Sequence, residues 1–439
     1  MRPILRLPQD DGANGWAALL PPRVPRPALA GDVTAGWAVL GAGFTGLAAA
    51  RRLAELRPDD SIVVVDALEV GAGASGRNSG FAIDHAHALS SGDAALETVR
   101  AQKRLFLAAI EHLGEMVERH GIRCDWRRDG KYHVAASARG AESVLRPLRA
   151  ELEALGEDHR WLDADELAGE IGMRRYAAGI YTPGTVLLNP AALVRGLADA
   201  LPEAVRLYEN TPVTGLDLGS PAVLQTPAGR VSAPRLILAT DAFTPALGFY
   251  PRQILPFVAY ASLTRPLSAD EQAALGGRQS WGITPANGFV AATIRRTPDQ
   301  RILFRETLAF RPRLRHGAGL LDSIRARHQA RFRDYFPMLA GVALEHTWGG
   351  YLGLTRNQDS GFGCVKDNVW AAVGHQGVGI TRGTIAGRLI AELAAGADTP
   401  LIADFQRIAQ PANNPPRPLL DIGIHVRSAW EAWKNRDEN

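Results

Sequence analysis

An α/β fold of more than one domain is predicted by three features of the sequence. A strand, glycine turn, helix, strand and acid follow one another between Gly36 and Asp66; a second glycine-rich run lies directly behind them; and a strand, glycine run and helix recur near the C-terminus. The chain has 439 residues, 46% hydrophobic and 22% charged, so it can bury a sizeable core and exceeds one ordinary domain. Two domains are expected.

The first feature opens with the strand Trp37-Ala38-Val39-Leu40 and turns at Gly41-Ala42-Gly43-Phe44-Thr45-Gly46. A helix of small and apolar residues then runs from Leu47 to about Leu56, before Pro58. The strand Ser61-Ile62-Val63-Val64-Val65 delivers Asp66. Gly41 allows the tight turn, Gly43 lets backbone N–H groups approach a pyrophosphate, and Gly46 lets helix and strand pack closely. The pyrophosphate would sit on the helix N-terminus, and Asp66 would accept hydrogen bonds from an adenosine ribose. The glycine spacing alone is weak in a chain with 45 glycines, but its complete context marks a Rossmann-type dinucleotide-binding domain.

The second feature is Val70-Gly71-Ala72-Gly73-Ala74-Ser75-Gly76-Arg77-Asn78-Ser79-Gly80. It argues for FAD over a nicotinamide cofactor, because an extended flavin needs backbone cradling well beyond its adenosine half. Ala74, Ser75, Arg77, Asn78 and Ser79 are therefore candidate cofactor contacts, with Ala42, Phe44 and Thr45 of the first turn. In the third feature, strand-like Val369 to Val373 enters Gly374-His375-Gln376-Gly377-Val378-Gly379-Ile380, and a helix begins at Thr381. A helix N-terminus aimed at the flavin pyrimidine edge would stabilise the negative charge gained on reduction. An ordinary turn between strand and helix is the alternative. His375 is equally readable as a ligand contact or a hydrogen-bonded structural histidine.

With its Gly-Ala-Ser-Gly-Arg-Asn-Ser-Gly run, Gly73 to Gly80, the sequence resembles the D-amino-acid oxidase (DAO) family of FAD-dependent oxidoreductases. The likeness is greatest to the group of gamma-glutamylputrescine oxidase, with sarcosine and glycine oxidases more distant. It extends through Leu188-Asn189-Pro190, Thr211-Pro212-Val213, Leu236 to Ala242, Trp348 to Leu352 and Gly374 to Thr381. The resemblance implies that the amide of Val213 holds adenine and that Thr240 lies beside the cofactor. It also implies a discontinuous Rossmann-type FAD-binding domain at 33–90, 181–255 and 346–400, and a second mixed α/β substrate domain at 91–180 and 256–345. Residues 1–32, with Pro21, Pro22, Pro25 and Pro27, read as an extended arm, and 401–439 as a C-terminal tail.

The activity implied is oxidation of a small amine or amino acid, a secondary amine or an amino carboxylate, to an imine by hydride transfer to flavin N5. A 2-hydroxy-acid oxidoreductase and a nonenzymatic flavin-binding protein are the alternatives. The segment from Thr293 to Arg305 resembles the hairpin that covers the flavin in relatives, and alternation would point Arg295, or Arg301 with Arg305, at a substrate carboxylate. Tyr351 could orient substrate or pack in the core, and His85 is the third candidate catalytic contact. No metal is expected: Asp84, His85 and His87 lack a further ligand cluster.

Covalent relatives attach flavin through a cysteine in the segment matching Trp348 to Leu352. None stands there in this chain, so FAD is expected to be noncovalent. Relatives also place a lysine over the flavin to promote reaction with oxygen. Only Lys103, Lys131, Lys366 and Lys434 exist, none in that hairpin, which argues against oxygen as the physiological electron acceptor and keeps a quinone beside it as the alternative. A formal charge of +3 from 49 basic and 46 acidic residues indicates no nucleic-acid partner. Two cysteines, and no run as apolar and long as a signal peptide or membrane span, suggest the cytoplasm. The tail beyond Pro415 reads as an amphipathic helix, docked on its own domain or lying peripherally on the inner face of a membrane.

Overall fold

The computed structural model describes residues 1–85, 93–286, 291–315 and 319–438. Its centre is a six-stranded sheet in the order Val205–Tyr208, Ile62–Val65, Trp37–Leu40, Arg235–Leu238, Val369–Val373 and Gly361–Lys366. The first five strands run parallel and the sixth antiparallel. All four residues of Trp37–Leu40 and of Ile62–Val65 are buried, as befits strands covered on both faces. One face carries the helices Phe44–Leu56 and Thr384–Ala394, which lie so close that a Cβ on Gly387 would meet the Thr45 carbonyl at 2.1 Å. The other face packs Ala38, Leu40, Val63 and Leu236 against Leu216, Leu224 and Val231 of a small five-stranded sheet.

A mixed eight-stranded sheet forms the second layer system, in the order Leu344–Leu354, Leu255–Thr264, Ile302–Phe310, Thr293–Arg296, Trp281–Pro285, Lys131–Ala135, Ala178–Thr182 and Arg160–Asp163. Its outer face is closed by the helix Leu320–Tyr335, through Phe304, Phe332, Tyr335 and Phe336. Its inner face looks toward the ends of the parallel strands. The register sets Ala261, Arg305 and Thr293 side by side there across three strands.

Two segments sit differently from their sequence-based description. The strand Leu344–Leu354 straddles the expected boundary at 346 and pairs only within the eight-stranded sheet, because its partner Leu255–Thr264 offers ten successive pairs. Residues 1–32, expected as an extended arm, are docked on the body and include a short strand and a short helix. Arg2–Pro3 adds an edge to the five-stranded sheet, and the short helix Gly15–Ala18 buries Trp16 edge-on to Trp348, with ring centroids 6.4 Å apart. The prolines keep this stretch extended, and apolar burial of Ile4, Trp16 and Leu29 fixes it to the body. No helix among the described residues is long and apolar enough to cross a membrane.

Candidate active site

A cavity of about 1130 Å³ lies between the carboxyl ends of the parallel strands and the inner face of the eight-stranded sheet. One end is built by the first glycine turn. Gly41 has φ +107°, and a Cβ there would stand 2.6 Å from the Ala239 carbonyl; a Cβ on Gly46 would stand 1.7 Å from the Gly41 carbonyl. Both positions need glycine, for the turn and for close packing. Gly43 precedes the helix Phe44–Leu56 and lines the cavity, and Ser75 Oγ accepts the Phe44 N–H at 3.0 Å. Ser75 thereby ties the two glycine-rich runs together.

Asp66 lines the cavity beside this turn and accepts the N–H of Ala42 at 2.7 Å and of Leu68 at 2.9 Å. Burial pushes its carboxyl up to about 6, against the opposing pull of those two amides. Ala42, Phe44, Thr45, Ala74, Ser75, Arg77, Asn78, Ser79, Val213 and Thr240 all line the same cavity. Arg77 is nearly buried. Its guanidinium pairs with Asp10 at 2.6 Å and Asp11 at 2.8 Å, and it also donates to Gly349 O at 3.1 Å.

At the opposite end His375, Gly377, Val378, Gly379 and Ile380 line the wall. A wide helical turn, Gly379–Gly383, leads directly into the helix Thr384–Ala394, so the helical run starts two residues before Thr381. Thr381 is buried and outside the lining, as is Gly374, whose φ of +74° makes the bend. His375 shares a 2.9 Å hydrogen bond between its Nε2 and Thr45 Oγ1, and burial drives its pKa down, so the imidazole is neutral.

The residues expected to act on substrate separate in the structure. Tyr351 lines the cavity, edge-on to Phe243 at 5.7 Å, with its hydroxyl pushed up to about 12 by burial. Arg295 does not. It is fully buried, donates to the carbonyls of Leu188 at 2.5 Å and Gly80 at 3.3 Å, and stacks over the Trp16 ring. Arg301 pairs with Asp299 and Glu345 away from the cavity, whereas Arg305 and Thr293 line it, joined by a 2.6 Å hydrogen bond. His85 also lies outside the lining, buried and paired with Glu151 at 2.8 Å. Asp84 bonds Lys103 and Thr185, and His87 lies outside the described residues.

Residues 37–393 match the DAO family, described as FAD dependent oxidoreductase. The chain belongs to this family. It is 28% identical over 398 residues to the gamma-glutamylputrescine oxidoreductase of Escherichia coli (strain K12), covering 88% of each chain. The crystal structure of glycine oxidase from Geobacillus kaustophilus superposes with a TM-score of 0.70 at 21% identity, covering 85% of this chain and 98% of that one. L-proline dehydrogenase from P. horikoshii gives 0.68 at 16% identity, covering 88% and 98%. These two likenesses show the fold.

The cavity fits the family's cofactor on its own chemistry. It pairs a glycine cradle at a helix N-terminus with a ribose-competent carboxylate, and its volume exceeds the roughly 300–1,000 Å³ of an ordinary ligand pocket. FAD would be held by Gly41 to Thr45, Asp66, Ala74, Ser75, Arg77, Asn78, Ser79 and Val213 at one end, and by His375 to Ile380 at the other. Two residues within the quoted motifs, not singled out from the sequence, brace the cavity. Asp241, with φ +41°, accepts three backbone N–H groups, and Gln376 bonds Thr355 through both its amide oxygen and nitrogen. The helix Leu419–Lys434 also lines the mouth through Leu420, Ile424, Arg427 and Glu431.

Proposed function

We propose that this flavoprotein oxidises a small secondary amine or amino carboxylate to an imine, using noncovalently held FAD. The observation that carries the reading is the placement of Arg305 and Thr293 on the sheet face opposite the glycine turns, inside one cavity with Tyr351. Arg305 supplies a planar donor fork for a carboxylate. Tyr351 keeps its proton and can donate a hydrogen bond to substrate. Bound flavin supplies the two-electron acceptor for the hydride of the α C–H bond. The amine nitrogen loses its proton, C=N forms, and water hydrolyses the imine to a carbonyl compound and the freed amine. Cys124 and Cys364 both lie outside the cavity lining, which supports noncovalent attachment.

No lysine among the described residues lines the cavity, which favours an acceptor other than oxygen, such as a quinone. The outer face of the helix Leu419–Lys434 favours a peripheral site on an anionic bilayer, on its cytoplasmic side. Ile422, Val426, Trp430 and Trp433 are all exposed there, and Lys434 lies 4.7 Å over the Trp430 ring. Co-sedimentation with anionic liposomes, lost on deleting 415–439, checks this part.

The catalytic reading is tested by anaerobic flavin bleaching with glycine, L-proline and γ-glutamylputrescine. Bleaching by an amine with trapping of a carbonyl product is the expected outcome. Bleaching only by 2-hydroxy acids, or by nothing, overturns it.

A further inference from the structure

The C-terminal segment crosses the cavity mouth and is held at both ends. At the near end Asn414, 3% exposed, donates its N–H to Arg252 O at 2.7 Å and its Nδ2 to Gln253 O at 3.0 Å. Between the ends runs the helix Leu419–Lys434, which contains no buried residue and therefore has no core of its own to hold it. Its inner side lines the cavity, with Ile424, Arg427 and Glu431 spaced three and four residues apart on one face. At the far end Glu438, 6% exposed, reaches the segment that opens the continuous helical run 138–155. Its carboxylate accepts the N–H of Ala136 at 2.8 Å, the N–H of Ser137 at 3.1 Å and the hydroxyl of Ser137.

Gly140 makes room for this contact. A Cβ there would stand 2.1 Å from Glu438 Oε1, so any other residue at 140 displaces the carboxylate. Glu438 also complements the partial positive charge at the start of the helical run. A buried carboxylate with three donors, at the end of an otherwise coreless helix, is the arrangement of a latch.

We propose that the C-terminal helix is the outer wall of the substrate compartment and that Glu438 is the positioning residue that holds it there. The wall limits which amines fit and how tightly they are retained. The inference rests on the reading that this cavity receives the amine. Neither Glu438 nor Gly140 lines the cavity, so chemistry at the flavin would be unchanged when the latch opens.

Glu438→Ala removes the latch, and Gly140→Ala expels it by contact while improving local helix propensity. Both variants are expected to raise the half-saturating concentration in anaerobic flavin bleaching about tenfold, with the limiting rate within about twofold of the parent. Amide exchange over residues 419–434 should quicken while that over 37–65 stays constant. Glu438→Gln, which keeps an acceptor oxygen, should recover most of the parental half-saturation. Faster exchange with unchanged half-saturation overturns the proposal, and so does unchanged exchange in both variants. If no amine bleaches the flavin, the functional reading fails, and sulfite, which adds to oxidised flavin, becomes the probe: faster bleaching in both variants supports the latch and equal rates overturn it.

Discussion

Asp241 and Gly353 join the two sheets across the cavity: Asp241 Oδ2 accepts the Gly353 N–H at 2.8 Å. Its other oxygen accepts the N–H of Gly374 at 2.8 Å and of His375 at 3.2 Å. One carboxylate thus ties a strand of the eight-stranded sheet to the turn that follows Val369–Val373. Asp241→Ala leaves three donors without their acceptor and places alanine at positive φ, a cost of about 3 kcal/mol or more. Asp241→Asn keeps one carbonyl oxygen and tolerates that φ, so its loss should be about half as large. Chemical denaturation of the two variants measures the difference. Equal stability of Asp241→Ala and the parent would show that the clamp is unimportant.

The Asp66 carboxyl, pushed up to about 6 by burial, gives FAD binding a pH dependence. Ribose hydroxyls donate to the carboxylate, so affinity should rise as pH increases through about 6 and level off above it, by up to about tenfold per unit below that point. The stability of the FAD-free protein runs the other way. The folded state holds this proton more tightly than the unfolded state, so the contribution is full below 3.8 and is lost as pH rises through about 6. Asp66→Asn should flatten both profiles and weaken FAD binding. Titration of flavin fluorescence from about pH 5 to about pH 8 reads the first, and thermal unfolding of the FAD-free protein reads the second.

The glycine-turn end of the cavity was legible in the sequence because its parts are local. Gly41, Gly43, Gly46 and Asp66 belong to one strand–helix–strand unit, and backbone conformation dictates their spacing. The opposite wall was legible only in part, with Tyr351 and Arg305 named beside Arg295 and Arg301, because alternation identifies a face but not a position along the strand. Arg305 pairs with Thr293 and Arg295 with Leu303, on the same face one pleat repeat apart. That repeat carries Arg305 over the cavity and Arg295 over Trp16 and Leu188. The terminal segments were obscure for a different reason. Prolines announce extended chain, yet the contacts of Arg77 with Asp10 and Asp11, and of Glu438 with Ser137, join residues far apart in sequence.

The two arginines make opposite predictions. Arg305→Met should raise the half-saturating concentration of a carboxylate-bearing amine by about 10–100-fold and barely affect the corresponding carboxamide. Arg295→Met should leave that selectivity intact and instead lower stability by about 1–3 kcal/mol, since the buried Leu188 carbonyl loses its donor and the Gly80 carbonyl keeps only the Leu188 N–H. Paired kinetics with L-proline and its amide, beside denaturation midpoints, separate the roles. Loss of carboxylate selectivity in the Arg295 variant alone would reverse the assignment.

Two glycines separate the needs of the fold from those of the cofactor. At Gly46 an added Cβ would lie 1.7 Å from the Gly41 carbonyl, backbone against backbone, so Gly46→Ala must push the helix Phe44–Leu56 off the sheet. It should lower the unfolding midpoint whether or not FAD is present. At Gly379 nothing lies within 4 Å of an added Cβ and φ is not positive, while the residue itself lines the cavity. Gly379→Ala should therefore leave the FAD-free protein as stable as the parent, or slightly more so because alanine restricts the unfolded chain. If the proposed flavin site is right, the methyl group would intrude on the cavity at the start of the helical run Gly379–Ala394, so FAD content after purification should fall. Thermal unfolding of both variants with and without added FAD, together with flavin absorbance per protein, checks the pair. Undiminished FAD content in Gly379→Ala would move the flavin away from this helix start, since its methyl group meets no protein atom that could absorb the change.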